Sequence, residues 1–231
     1  MCRTIGILGG MGPYATVDLF QKIVMNTPAQ IDQDHLKILI YNNPKIPPRV
    51  LGVNRPSNSP KSELINSALL LQQAGADFII MPCHTAHIWF NDVKNEISIP
   101  FYSMVENTVQ AVSLEYKDLE NKKIVLLATE TTVNSGLYQK AFDNTPFQII
   151  VPNLREQKII DHAIKNVKGG KKNKQSLGRV NEIINAYHQK GVSKLLGCCT
   201  EIPLMFPYFN TESEMIDPTL LLAKMAIKKV K

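Results

Sequence analysis

The feature that most constrains this chain is a segment that occurs twice. Gln73-x-Gly75-x-x-x-Ile79-Ile80-x-x-Cys83-x-Thr85 returns as Gln189-x-Gly191-x-x-x-Leu195-Leu196-x-x-Cys199-Thr200-Glu201, with Gln, Gly, two aliphatic residues and Cys in one register. Each copy reads as the end of a helix, a turn and a short buried strand, with a cysteine just past the strand. A second match lies earlier in each half, where Thr4-Ile5-Gly6-Ile7-Leu8-Gly9-Gly10 is answered by Lys123-Ile124-Val125-Leu126-Leu127-Ala128-Thr129. A chain that repeats itself this way is expected to form two similar lobes of about 100 residues each. The seam is expected near residues 99–106.

Short β-branched runs at 4–8, 36–41, 78–81, 123–127, 147–151 and 194–196 predict strands, and helical spacing at 15–25, 60–74, 137–142 and 177–190 predicts helices between them. That alternation places the chain in the α/β class, as two pseudo-symmetric lobes, each a mostly parallel sheet flanked by helices. Ligands of parallel sheets bind beyond the carboxyl ends of the strands, so lobes that face each other bring Cys83 and Cys199 to one active-site cleft. The plainer alternative makes both cysteines small buried hydrophobes.

Composition narrows the partners. With 44% hydrophobic and 20% charged residues, the 231-residue chain has enough apolar surface for a core. The net charge of +6 invites an anionic partner. Its lysines, however, gather at Lys168, Lys171, Lys172 and Lys174 and at Lys228, Lys229 and Lys231, with no aromatic residues between them to stack on bases. No nucleic-acid partner is therefore expected. The start lacks the pattern of a signal peptide and no apolar run reaches about 18 residues, so no membrane partner is expected either. Cys2, Cys83, Cys198 and Cys199 are then expected as free thiols of a cytoplasmic protein.

An unperturbed thiol, with a pKa near 8.5, is only about 3% ionised at neutral pH; backbone N–H groups at the start of a following helix favour the thiolate. Two thiols on opposite sides of one carbon form a pair, one removing a proton and the other delivering one, so that the product is the mirror image. Such a pair titrates as a unit, one thiolate with one thiol. Thr85 and Thr200, close behind the two cysteines, suit helix capping and carboxylate binding equally.

Gly9-Gly10-Met11-Gly12-Pro13-x-Ala15-Thr16, Met81-Pro82-Cys83-x-Thr85-Ala86-His87 and Cys199-Thr200-Glu201-Ile202-Pro203 together resemble the aspartate/glutamate racemase family, whose members work without pyridoxal phosphate. The resemblance spans essentially the whole chain. It implies that Cys83 and Cys199 are the acid/base residues, one for each enantiomer, with no cofactor and no metal. It further implies a homodimer, and a C-terminal helix that returns to the first lobe after Asp217, giving lobes of 1–103 plus 209–231 and 104–208. Met11, Thr85 and Thr200 are expected among the substrate-binding residues. The resemblance also implies that Arg49, in Ile46-Pro47-Pro48-Arg49, clamps the distal carboxylate with its planar fork, that Lys168 meets the same group, and that Thr132 contributes from the second lobe. Two positions depart from the family pattern. His84 stands where Asn is common, and is expected to narrow the pocket, alter substrate choice or shift Cys83 toward thiolate. Cys198 stands where Gly or Ala is usual, and is expected to be a small strand-end residue.

Other constellations fit less well. Gly6-x-x-Gly9-Gly10-x-Gly12 lacks the third glycine of a dinucleotide fingerprint and runs into Pro13. Cys83, His84 and His87 lack the paired spacing of a metal site, and His87 is read as a residue that orients its neighbours. A hydrolase using Cys83 with a nearby His leaves Cys199 unexplained. A non-catalytic amino-acid-binding module keeps the binding residues and makes both thiols dispensable. The favoured reading is cofactor-independent racemisation of an acidic amino acid, aspartate first and glutamate second.

Overall fold

The computed structural model describes residues 3–50, 57, 59–171 and 174–230. Cys2, Lys172 and Lys231 lie outside the described residues. The chain divides into two compact units, one of Met1–Thr108 with Thr219–Lys231, the other Val109–Pro218.

The first unit is built on strands β1 (Ile5–Gly9), β2 (Ile38–Asn42), β3 (Phe78–Ile80) and β4 (Phe101–Tyr102). All pair in parallel, in the order β2-β1-β3-β4. Every residue of β1 is buried, as expected of an inner strand covered on both faces. Helix α1 (Pro13–Asn26) follows β1, α2 (Lys61–Gln73) precedes β3, and short α3 (Phe90–Lys94) and longer α4 (Met104–Glu115) flank β4. On one side Leu8, Leu64, Ala68 and Ile79 form a core that includes Met11 and Cys83. On the other, Ile5, Ile7, Leu19, Ile23, Phe78 and Ile80 pack with Leu222, Ala223 and Ala226 of the last helix.

The second unit repeats the plan. Strands β5 (Lys123–Ala128), β6 (Gln148–Ile150), β7 (Lys194–Cys198) and β8 (Glu214–Ile216) run parallel in the order β6-β5-β7-β8. Helices α5 (Glu130–Asn134), α6 (Leu137–Phe142), α7 (Leu154–Lys168) and α8 (Lys174–Gln189) surround them. The last helix, α9 (Pro218–Val230), lies in the first unit's core. The α/β reading and all six expected strands are present. The two sequence-silent strands, β4 and β8, are two and three residues long, too short for alternation to show. No helix among the described residues is long and apolar enough to cross a membrane.

The glycine-rich turn after β1 is tight for internal reasons. A Cβ on Gly9 would come within 2.5 Å of the Thr16 hydroxyl. That hydroxyl accepts from the Gly10 N–H at 2.9 Å and donates to the Gly12 carbonyl at 3.3 Å. Gly10 has φ +98°, and a Cβ there would collide with the Asn43 backbone. The turn thus brings β1 sharply into α1 and sets Met11 in the core beside Cys83.

Candidate active site

In both units the order 2-1-3 reverses direction between the first and third strands, the switch point at which open parallel sheets bind ligands. Cys83 lies just past β3 and Cys199 just past β7, so each unit carries one cysteine at its own switch point. Both are buried, at 6% and 7% exposure. The regular helix expected after each cysteine is instead a 3-10 turn, Thr85–Trp89 in one unit and Pro203–Tyr208 in the other. Turns this short align few peptide dipoles and offer little to a thiolate.

Around Cys83 the imidazoles dominate. His87 Nδ1–H donates to the Cys83 carbonyl at 2.8 Å, and the Met104 N–H donates to His87 Nε2 at 2.9 Å. These two bonds fix a neutral tautomer and fasten the cysteine turn to the start of α4. Burial lowers the His87 pKa to about 4, against the raising effect of its bond to Cys83. Burial, then the adjacent His87, lowers the His84 pKa to about 3. At neutral pH His84 therefore contributes ring volume and not the positive charge that would draw Cys83 toward thiolate. Among the described residues no three His, Cys, Asp or Glu side chains gather as metal ligands do.

Other first-unit candidates are distributed as follows. Met11 is buried in the cluster that holds Cys83 and Ile46. Thr85 opens the 3-10 turn and is half-buried. Arg49 is half-buried, and its Nη1 donates to the Ile46 and Pro47 carbonyls at 3.3 and 3.1 Å, which holds the guanidinium on its own loop.

The second unit meets its cysteine with charge. The Cys199 thiol donates to Glu201 Oε2 at 2.9 Å. Thr200 donates to the same oxygen at 3.4 Å, and Lys168 Nζ, from the end of α7, lies 3.9 Å away. Glu201 is only 2% exposed. Burial, then the Glu201 charge, pushes the Cys199 thiol well up; Lys168 opposes them without prevailing. The lowered thiol pKa expected from sequence is therefore reversed here, because desolvation and a neighbouring carboxylate outweigh one partly exposed ammonium. Glu201 itself was not singled out from sequence, although it stands inside the repeated motif. The signal was available as an acid two residues past a cysteine in a stretch otherwise apolar.

Thr132 and Cys198 complete this unit's set. Thr132 is fully buried within α5, which follows β5, its hydroxyl 3.0 Å from that of Thr129, whose side chain caps the same helix. Cys198, the last residue of β7, is fully buried, and burial pushes its thiol up against a hydrogen bond with Tyr138.

Comparison with known proteins agrees with this geometry. A family model described as Asp/Glu/Hydantoin racemase matches residues 8–226. A broad-specificity amino-acid racemase of Bacillus subtilis (strain 168) is 26% identical over 229 residues, covering 96% of each chain. Among solved structures, an aspartate racemase of Picrophilus torridus is 33% identical with a TM-score of 0.86, covering 99% of this chain and 94% of that one. The glutamate racemase of Aquifex pyrophilus, 20% identical with a TM-score of 0.65 over 100% of this chain and 84% of its own, shares the fold.

Proposed function

The chain belongs to the Asp/Glu/hydantoin racemase family, and on that footing we propose that it racemises an acidic amino acid, aspartate first and glutamate second, without a cofactor. The observation that carries this reading is the duplicated placement of one buried cysteine at the switch point of each parallel sheet, within the span matched by the family. A hydrolase needs one such thiol and a binding module needs none.

In the proposed reaction Cys83 and Cys199 act on opposite faces of the substrate Cα. One thiolate removes the α-proton, the bond pair stays on carbon as a carboxylate-stabilised carbanion, and the other thiol returns a proton from the far side. Cys199, with its thiol pKa held up, is suited to rest as the proton donor. In the opposite direction it must give up that proton before reacting, and Glu201 Oε2 at 2.9 Å is the acceptor at hand. Lys168 Nζ lies 3.9 Å from Glu201 and is partly exposed, which supports its proposed contact with a substrate carboxylate.

Arg49, Met11, His84, Thr85, Thr132 and Thr200 are proposed to shape and bind the substrate. A wider amino-acid range is the second reading. It is favoured by the Arg49 guanidinium, which already donates to its own loop and is less committed to a distal carboxylate. We also propose a homodimer, supported by exposed Val17 and Phe20 of α1 beside Ile40 of the edge strand β2, an apolar face of the kind partners cover.

The deciding experiment incubates the purified protein with L-aspartate, and separately L-glutamate, in heavy water without added cofactor. Chiral chromatography with mass spectrometry is expected to show the D-enantiomer carrying deuterium at Cα. Retention of configuration and of the α-proton in both substrates would overturn the assignment to acidic amino acids.

A further inference from the structure

The second unit holds a basic groove that the proposed chemistry does not use. It lies between α7 and α8, has a volume of about 470 Å³ and is lined by Arg155, Lys158, Ile159 and His162 from α7 and by Gln175 and Arg179 among those from α8. Positions 155, 158, 159 and 162 follow the spacing of one helix face, while Ile160, Ala163, Ile164 and Val167 bury the opposite side. The volume falls within the range of small-molecule sites, roughly 300–1,000 Å³.

Among the described residues no carboxylate lines the groove. The two acids that α7 carries near it are engaged elsewhere. Glu156 accepts from the Asn153 N–H and the Tyr187 hydroxyl, and Asp161 accepts from the Glu130 N–H and from Gln157. Arg155, Lys158 and Arg179 make no ion pair among the described residues. The acids at three-residue spacing, Asp161 after Lys158 and Glu182 after Arg179, make no ion pair with these cations among the described residues. The cations at the Arg155 end of the groove stand apart from the cysteine site. Lys168, the α7 residue that approaches Glu201, is roughly 20 Å further along the helix axis from Arg155 at 1.5 Å per residue.

We propose that this groove binds a small polyphosphate anion, free or as part of a nucleotide. Two guanidinium forks and an ammonium carry three permanent charges, more than a dicarboxylate balances and well matched to three or four phosphate charges. Ile159 supplies an apolar wall against which a nucleotide's base can lie.

Calorimetric titration of the full chain at low ionic strength, with tripolyphosphate, adenosine triphosphate and a short single-stranded oligonucleotide, tests the site. Both polyphosphates are expected to bind, and R155Q/R179Q to weaken them at least about tenfold. The control K224Q/K228Q, which removes two exposed cations of α9, leaves binding unchanged. Equal affinity for the two polyphosphates makes phosphate the recognised group, and tighter adenosine triphosphate adds the base. Circular dichroism melting establishes that the variants remain folded. Absent binding, full binding by R155Q/R179Q, equal weakening by the control, or tighter oligonucleotide binding per phosphate would each overturn the proposal.

Discussion

The two cysteine turns have the same topology and opposite electrostatics. In the first unit a parallel sheet of order 2-1-3-4 delivers Cys83 into a turn with two buried imidazoles, both neutral at pH 7. In the second, a sheet of the same order delivers Cys199 to a buried carboxylate that accepts its hydrogen bond and lies near a lysine. The contrast teaches that the repeat conserves where a thiol is placed and leaves free how readily it ionises. Placement follows from strand order and a short strand-end turn. The electrostatic surroundings follow from side chains one to four residues further on, which the repeat does not match: His84 and His87 in one unit, Thr200 and Glu201 in the other.

The largest expected effect breaks the symmetry of the proposal outright. C83S and C199S, each assayed by chiral chromatography, are expected to lose about a thousandfold or more in racemisation. Loss with only one of them would turn the reading toward a hydrolase, and loss with neither toward a binding module. Next, E201Q removes the charge that adds to burial in holding the Cys199 thiol up. Its alkylation profile should shift to lower pH while that of Cys83 stays put, with turnover falling roughly 10- to 100-fold. An unmoved Cys199 profile would leave Glu201 a structural acid.

The imidazoles give a third, distinct signature. Each has a folded-state pKa below its ordinary value near 6.5, so between about pH 6.5 and 4 the unfolded chain binds protons that the folded unit refuses. Stability is therefore present above that window and lost as pH falls through it, by roughly 2 kcal/mol per imidazole between pH 7 and 5. Urea unfolding at the two pH values, with H87Q as comparison, measures it; a wild-type loss no larger than that of H87Q, which keeps His84, would deny the buried neutral His87 ring. The smallest effect concerns Arg49. R49K keeps the charge and loses the fork, and should lower kcat/KM about tenfold for aspartate while sparing an amino acid with one carboxylate. Equal losses would remove Arg49 from the distal clamp.

Much of the fold was legible because it rests on local signals. The β-branched runs, the helical spacing and the glycines at Gly9 and Gly10 all act within a few residues of themselves, and β1, β5 and β7 appear where those signals lie. The strands β4 and β8 carried too little pattern to be seen. At the site, the motif pointed to Cys83, Cys199 and His87, but sequence gave no reason for Cys199 to be held protonated.

What the chain determines by itself is the duplicated strand-to-cysteine plan, since spacing and side-chain type are written in the order of residues. Only the tertiary structure decided that Glu201 is buried against Cys199 and approached by Lys168, and that His87 links the Cys83 carbonyl to Met104. The reason is physical. A charge's effect on a neighbour depends on its distance and on how much water has been excluded around both, and neither quantity exists until the chain has folded.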